Sequence, residues 1–143
     1  MFMGTYHNSI DAKKRLIVPQ KHRDQLAGKC VLTKAMDTCL YIYSMDEWER
    51  LVTRMAELPE SDPDVRDAIR DLMSNAAECE FDKQGRIIVP QVLIDYAHIQ
   101  KDLITMGAMN KVEIWAKEVW DSPDDSTRRG TGGYSEALAK YNF

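Results

Sequence analysis

Ten residues of this chain are written twice. Residues 11–20 read DAKKRLIVPQ and residues 82–91 read DKQGRIIVPQ, with six of ten positions identical at a separation of 71. The echo goes on at a separation of 72, where Leu32, Thr33, Leu40, Ile42, Tyr43 and Trp48 answer Ile104, Thr105, Val112, Ile114, Trp115 and Trp120. A duplication on this scale restricts the architecture more than any single segment does. The fold must hold two copies of one supersecondary unit, and 143 residues is one ordinary domain or two small fused halves.

Each copy reads as strand, tight turn, short apolar strand, Pro, short helix and two more strands. In the first, MGTYHNSI is a strand and Asp11 to Lys14 its turn, and Leu16-Ile17-Val18 is a short apolar strand. Pro19 ends that strand, because it cannot donate to a ladder and presets the φ of a helical turn. A helix over Gln20 to Leu26 is then stopped by Gly28, and Cys30 to Thr33 and Leu40 to Tyr43 are strands. The second copy repeats the order: the strand CEF, the turn Asp82 to Gly85, Ile87-Ile88-Val89, a helix over Gln91 to Ala97, and strands over Leu103 to Met106 and Val112 to Trp115. Between the copies, Ser44 with Glu47 is a capping box, and Asp62-Pro63 opens a second helix with a stripe through Val65, Ala68, Ile69, Leu72, Met73 and Ala76. The expected organisation is 1–48 first unit, 49–75 helical insert, 76–120 second unit and 121–143 a flexible Ser/Asp/Gly-rich tail, with a marginal helix over Ser135 to Phe143. Trp48 and Trp120 are expected in the core. His7, His22 and His98 stand alone and read as surface or satisfied core residues.

The net charge of −4 looks wrong for a nucleic-acid binder until it is mapped. Residues 1–45 carry seven Lys/Arg against three Asp, residues 46–80 four Arg against eleven Asp/Glu, and residues 81–143 eight bases against nine acids. The base lies in the first repeat and the acid in the insert, where a solvated helix face accounts for it. Cys30, Cys39 and Cys79 have no C-x-x-C spacing, which argues against a disulfide framework or zinc site and fits a reducing cytoplasm. No signal-type h-region and no apolar run near 18 residues appears, so neither classical secretion nor membrane spanning is expected.

The chemistry concentrates in the two D-x-x-x-R loops. Asp11 and Asp82 can accept backbone N–H bonds from residues just after them and so shape the turns. Arg15 and Arg86 carry planar five-donor forks suited to phosphate or to the O6/N7 edge of guanine. Lys13, Lys14 and Lys83 add point charges for phosphate. An Asp–Arg pair closing each loop on itself is the competing reading, and spacing does not separate the two. Lys21, His22 and Arg23 flank this region on what reads as a solvated helix face.

Two D-x-x-x-R loops, each followed by an apolar triplet and Pro, resemble the MraZ family of bacterial transcriptional regulators. The opening MFMG, the CLYIY strand, the DEW helix start, the AAECE strand and the DKQGR loop extend the likeness over about residues 1–120. The resemblance implies an α+β, β-rich fold. In it, two tandem swapped-hairpin units of the AbrB/SpoVT type form one pseudo-twofold β-barrel. It implies a ring-shaped homo-oligomer, cytoplasmic and nucleoid-associated, that binds double-stranded DNA. Its sites would be promoter direct repeats upstream of the division and cell-wall gene cluster, usually for autorepression. It implies DNA contact by Arg15 and Arg86, with Lys13, Lys14 and Lys83 beside them and Asp11, Asp82 and Gly85 shaping the loops. One position departs: the first loop has Lys14 where the family usually has Gly. If that position needs a positive φ, Lys14 carries a cost of about 1 kcal/mol.

An assembly module on the same fold, without operator binding, is the alternative that the acidic insert and Lys14 favour. No Gly-rich phosphate loop, metal cluster or nucleophile–base arrangement is present, so no enzyme, cofactor, metal or small-molecule substrate is expected.

Overall fold

The computed structural model describes residues 1–129 and 139–141. Along them run β1 Thr5–Ser9, β2 Arg15–Ile17, α1 Gln20–Leu26, β3 Lys29–Lys34, β4 Leu40–Ser44, α2 Met45–Ala56, α3 Pro63–Asn75, β5 Ala77–Glu80, β6 Arg86–Ile88, α4 Gln91–Tyr96, β7 Asp102–Gly107, β8 Val112–Ala116, α5 Lys117–Trp120 and α6 Asp125–Arg128. This is an α+β, strand-rich molecule, and both copies fold through the same order of elements. Pro19 and Pro90 take the N-cap positions of α1 and α4 with extended backbone. Their fixed φ turns the strand into the helix, as the absent N–H requires. α1 ends on the left-handed Ala27 (φ 58°), one position before the expected stop at Gly28, and its counterpart His98 (φ 55°) follows the Ala97 cap of α4.

Six strands form one antiparallel sheet in the order β1-β7-β8-β4-β3-β5, and β2 and β6 pair as a separate two-stranded ribbon. Exchange each strand for its counterpart (β1 with β5, β3 with β7, β4 with β8), and the order reads the same backwards. The registers obey the same exchange. In the ribbon, Arg15 faces Ile88, Leu16 faces Ile87 and Ile17 faces Arg86. Leu16 and Ile87 are counterparts, and the two outer pairs swap into each other. In the sheet centre, Leu40, Tyr41 and Ile42 face Ile114, Glu113 and Val112, again self-reciprocal about Tyr41–Glu113. Two self-reciprocal pairings define a local twofold axis through the ribbon and the sheet centre. The first strand of each copy lies on the other copy: β1 pairs with β7, and β5 with β3.

One detail of the echo shifts. Leu32 pairs with Ile42 and Ala77, while Thr105 pairs with Ile114 and Tyr6. By pairing, Leu32 therefore corresponds to Thr105 and not to Ile104. The strand ladder, not residue similarity, sets this register, because a one-residue slip would reverse which side chains face the core.

The core lies between ribbon and sheet. Leu16, Val18, Ile87 and Val89 come from the ribbon side, Leu32, Leu40, Ile42, Leu103 and Ile114 from the sheet, and Leu26 and Leu93 from the short helices, all buried. Ser44 caps α2, its Oγ accepting from the N–H of Glu47 at 3.2 Å, and Asp62 caps α3, its Oδ1 accepting from the N–H of Asp64 at 2.9 Å with Pro63 following. α2 runs unbroken through residue 48. Val65, Ala68 and Leu72 of the α3 stripe are buried, whereas Met73 is exposed. Trp48 and Trp120 are not core residues. Trp48 is half-buried against Tyr43, and Trp120 sits at the margin against Trp115 and under the Arg128 guanidinium.

The segment read as a flexible tail begins with structure. α6 follows Trp120, and the N–H of Thr38 donates to the carbonyl of Arg128 at 2.7 Å. The helix expected over Ser135 to Phe143 falls for the most part outside the described residues. Within it, Tyr141 donates to Asp62 at 2.7 Å and Lys140 to Asp64 at 3.1 Å, at the start of α3.

Because Leu16 and Ile87 meet on the axis at 1% exposure, truncation there leaves a cavity bounded by both copies. Leu16→Ala is expected to cost about 2–5 kcal/mol by urea unfolding. Ile17→Ser, one residue away on the exposed face, is expected to cost less than about 0.5 kcal/mol.

Candidate nucleic-acid interface

Both D-x-x-x-R loops close by the same five hydrogen bonds. In the first, the N–H of Asp11 donates to the carbonyl of Arg15 (2.9 Å) and the N–H of Lys14 to that of Asp11 (3.0 Å). Asp11 Oδ1 accepts from the N–H groups of Lys13 and Arg15 (both 2.9 Å), and its Oδ2 accepts from Arg15 Nε at 2.8 Å. In the second, the corresponding bonds measure 3.0 Å for Asp82 to Arg86 and 3.0 Å for Gly85 to Asp82. Asp82 Oδ1 accepts from the N–H groups of Gln84 and Arg86 (both 2.9 Å), and its Oδ2 from Arg86 Nε at 2.7 Å. A short carboxylate at the turn's first position is what this network needs, since both oxygens are used locally.

The Asp–Arg pair that sequence spacing left open therefore forms in each loop. It engages only Nε of each arginine. Among the described residues no hydrogen bond takes the Nη groups of Arg15 or Arg86. Pairing through Nε fixes the plane of the fork and leaves its outer donors for a ligand. Lys13, Lys14 and Lys83 are exposed and in no ion pair with described residues.

The carboxyl of Asp11 is held below its ordinary pKa chiefly by the N–H of Arg15; partial loss of solvent opposes this, and the Arg15 guanidinium and the N–H of Lys13 lower it further. Asp82 is lowered in the same way by Arg86 and Gln84. A carboxylate whose folded value is depressed contributes fully above its unfolded value, near 3.9, and loses that contribution as pH falls through the lower folded value.

The loops are braced by each other's copy. The N–H of Val89 donates to the carbonyl of Lys14 at 2.8 Å, and the N–H of Val18 to that of Gly85 at 3.1 Å. Each loop thus sits at one end of the ribbon, gripped by the strand end of the other repeat. Paired residues share a face, so Arg15, Ile17, Arg86 and Ile88 point outward together while Leu16 and Ile87 point into the core. The result is a short two-stranded ribbon with an arginine at two diagonal corners and a cationic loop at either end.

The residue before each arginine is left-handed, Lys14 at φ 63° and Gly85 at φ 77°. The two environments differ. Lys14 is exposed, whereas Gly85 is buried because the Arg23 guanidinium lies on it. A Cβ on Gly85 would stand 1.7 Å from Arg23 Nη1 and 2.3 Å from Cζ. Arg23 is the residue that sequence reasoning placed on a solvated helix face. It instead crosses from α1 in the first copy to the loop of the second. Its half-buried side chain has an Nε without a hydrogen-bond partner among the described residues, and it adds a cation beside Lys83 and Arg86. The signal that could have found it is the glycine itself, present only in the loop that Arg23 covers. His22, its neighbour, is fully buried. Its Nε2 lies 3.2 Å from the carbonyl of Met3, its ring meets Phe2 and Tyr6 edge-on, and its Nδ1 has no partner among the described residues. It is neither a surface residue nor a fully satisfied one. Lys21 is exposed, as are His7 and His98.

Among the described residues no group of His, Cys, Asp and Glu is arranged to hold a metal ion, and no helix is long and apolar enough to cross a membrane.

The chain matches the family described as "MraZ protein, putative antitoxin-like" over residues 1–71 and again over 72–126. It is 44% identical over its full length, and the full length of the relative, to a protein of Caldanaerobacter subterraneus subsp. tengcongensis named transcriptional regulator MraZ. Proteins of the same name from Thermoanaerobacter sp. and Clostridium beijerinckii are each 46% identical, with 89% and 88% of this chain covered and 89% of each relative. The chain belongs to the MraZ family, and each matched segment contains one of the two D-x-x-x-R loops, the first segment also taking in α2 and most of α3.

Lys14→Gly is expected to raise stability by about 0.5–1 kcal/mol in urea unfolding, since it relieves a left-handed residue in open solvent. Gly85→Lys is expected to lower it by more than that gain, because the added Cβ must also displace Arg23. A second expectation concerns pH. The amide resonances of Lys13, Arg15, Gln84 and Arg86 should stay constant down to about pH 4 and move together below it as the two carboxylates protonate. In Asp11→Asn the first pair should no longer titrate.

Proposed function

We propose that this protein is a sequence-specific DNA-binding transcriptional regulator whose ribbon and loops enter the major groove. The observation that carries this reading is the placement of both D-x-x-x-R loops at the two ends of one outward-facing ribbon, each with its Nη donors unused among the described residues. A two-stranded ribbon fits a groove of about 12 Å, and an arginine fork matches guanine O6/N7 or phosphate. Arg15 and Arg86 make the principal contacts, Lys13, Lys14 and Lys83 neutralise phosphates, and Asp11, Asp82 and Gly85 hold the loop shape. The relatives named as transcriptional regulators support the same reading.

The two units, 1–48 and 76–120, are read as swapped hairpins closing into one barrel. A single bridge between Ile10, just past β1, and Leu16 of β2 supports that reading, since it links the ribbon to the edge of the six-stranded sheet. A ring-shaped homo-oligomer would present many such ribbons to direct repeats, turning modest single contacts into tight binding through multivalency. The proposed sites lie upstream of the division and cell-wall gene cluster, where the protein represses its own expression as a cytoplasmic, nucleoid-associated regulator.

Fluorescence anisotropy with a labelled upstream fragment tests this against scrambled DNA of equal length. Binding is expected to be selective and to weaken steeply with salt, with a log–log slope near −0.9 per phosphate neutralised. Arg15→Ala and Arg86→Ala should each lose about 1–3 kcal/mol of discrimination, and Lys83→Ala should lower affinity for both DNAs alike. Equal affinity for upstream and scrambled DNA by an intact oligomer would sink the regulator reading in favour of an assembly module.

A further inference from the structure

The outward face of the ribbon holds two residues that charge recognition does not use. Ile17 is 51% exposed and Ile88 63%, while Leu16 and Ile87 on the opposite face are at 1%. They are repeat counterparts, and each lies directly across from an arginine, Ile17 from Arg86 and Ile88 from Arg15. The two isoleucines thus occupy one diagonal of a small square whose other diagonal is the two arginines. Isoleucine suits a strand, but water offers nothing to half-bare isoleucine that threonine would not take as well. Two of them at equivalent positions mark an apolar contact.

We propose that Ile17 and Ile88 cover the 5-methyl groups of thymines in the major groove and so set part of the base specificity. The inference rests on the DNA-binding reading and deepens it. Charge decides the occupant. The pair is ringed by Lys13, Lys14, Arg15, Lys83 and Arg86, with Arg23 behind the second loop, so the partner must be apolar at its centre and anionic at its edges. The floor of a major groove bearing thymine methyls between two rows of phosphates has that form. A second copy of the ribbon would set cations against cations.

The backbone carrying the isoleucines is also held in place. Asn8 Nδ2 donates to the carbonyl of Ile17 at 2.9 Å while its Oδ1 accepts from Thr105 Oγ1 at 3.1 Å. The counterpart of Asn8 is Cys79, whose Sγ lies 4.0 Å from the carbonyl of Ile88. Each isoleucine is anchored through β1 or β5, which in turn pairs with the other copy. Side chains presented from such a frame lose little freedom on contact.

The test uses the full chain and duplex DNA amplified from upstream of its own reading frame, made once with thymine and once with uracil. Uracil keeps every hydrogen-bonding group and lacks only the methyl. The wild type is expected to bind the thymine fragment about fourfold better for each methyl covered, or roughly 15-fold for two. Ile17→Ser/Ile88→Ser is expected to bind both fragments equally, with its oligomer mass and melting temperature unchanged. Three results overturn the inference. The wild type could select the upstream fragment over scrambled DNA yet ignore the thymine-to-uracil change. The double variant could keep the wild-type thymine/uracil ratio. Or its oligomer mass could fall, which would assign the isoleucines to a contact between copies. The uracil comparison in the wild type does not depend on how the variant folds. Loss of all selectivity for the upstream fragment in the wild type is a different failure, that of the regulator reading, and it takes this inference with it.

Discussion

Everything at the candidate site depends on one reciprocal set of backbone hydrogen bonds, the β2–β6 pairing and its two extensions, Val89 N–H to the Lys14 carbonyl and Val18 N–H to the Gly85 carbonyl. A three-residue strand is too short to hold itself. Paired across a local axis, with Leu16 and Ile87 driven into a shared core, the two become a stiff ribbon whose ends are the loops. Each loop's terminal carbonyl is satisfied by the other copy, so neither repeat could present its arginine alone. The exchange of β1 onto β7 and β5 onto β3 makes the same point on the sheet side.

The two copies are close to identical where hydrogen bonds decide and different where side chains do. The Asp-centred networks agree to about 0.1 Å, because an Asx-type turn closing on the arginine backbone admits little variation. The left-handed residue inside each turn is free to differ. In the first loop its Cβ faces water, and lysine is tolerated at a conformational cost that adds a cation. In the second, Arg23 lies where the Cβ would be, so any other residue must displace that guanidinium. Both solutions put one further positive charge beside the D-x-x-x-R arginine, from the loop itself in one case and from α1 of the other copy in the other.

Net charge is a poor guide to such a molecule. The chain is acidic at −4, yet the ribbon face gathers Lys13, Lys14, Arg15, Lys83, Arg86 and Arg23, with Asp11 and Asp82 consumed in turns. Between residues 45 and 75 nine acidic residues stand against four arginines, and several of these acids are spent on caps and local pairs such as Glu47–Arg50 and Asp67–Arg70. At physiological salt a phosphate responds to charges within about 8 Å, so the local surplus governs the encounter.

The duplicated DAKKRLIVPQ/DKQGRIIVPQ phrase determined by itself that the chain has two equivalent halves. Local chemistry made the elements legible: Pro19 and Pro90 for the strand-to-helix switches, Ser44 and Asp62 for the caps, and the apolar triplets for the ribbon strands, though not which of their residues face inward. The roles of Asp11 and Asp82 could be read as well, since their partners lie within four residues. What sequence could not supply was how the halves meet. Pairing β1 with β7 joins residues about a hundred positions apart, and the same apolar pattern would serve strands that stayed within their own repeat. Tertiary structure decided the exchange, and with it the one-residue shift at Thr105. It also decided the burial of His22, the marginal place of both tryptophans and the passage of Arg23 across to Gly85. The physical reason is that periodicity tells each strand which face is wet, while only packing against a particular partner tells it which edge is taken.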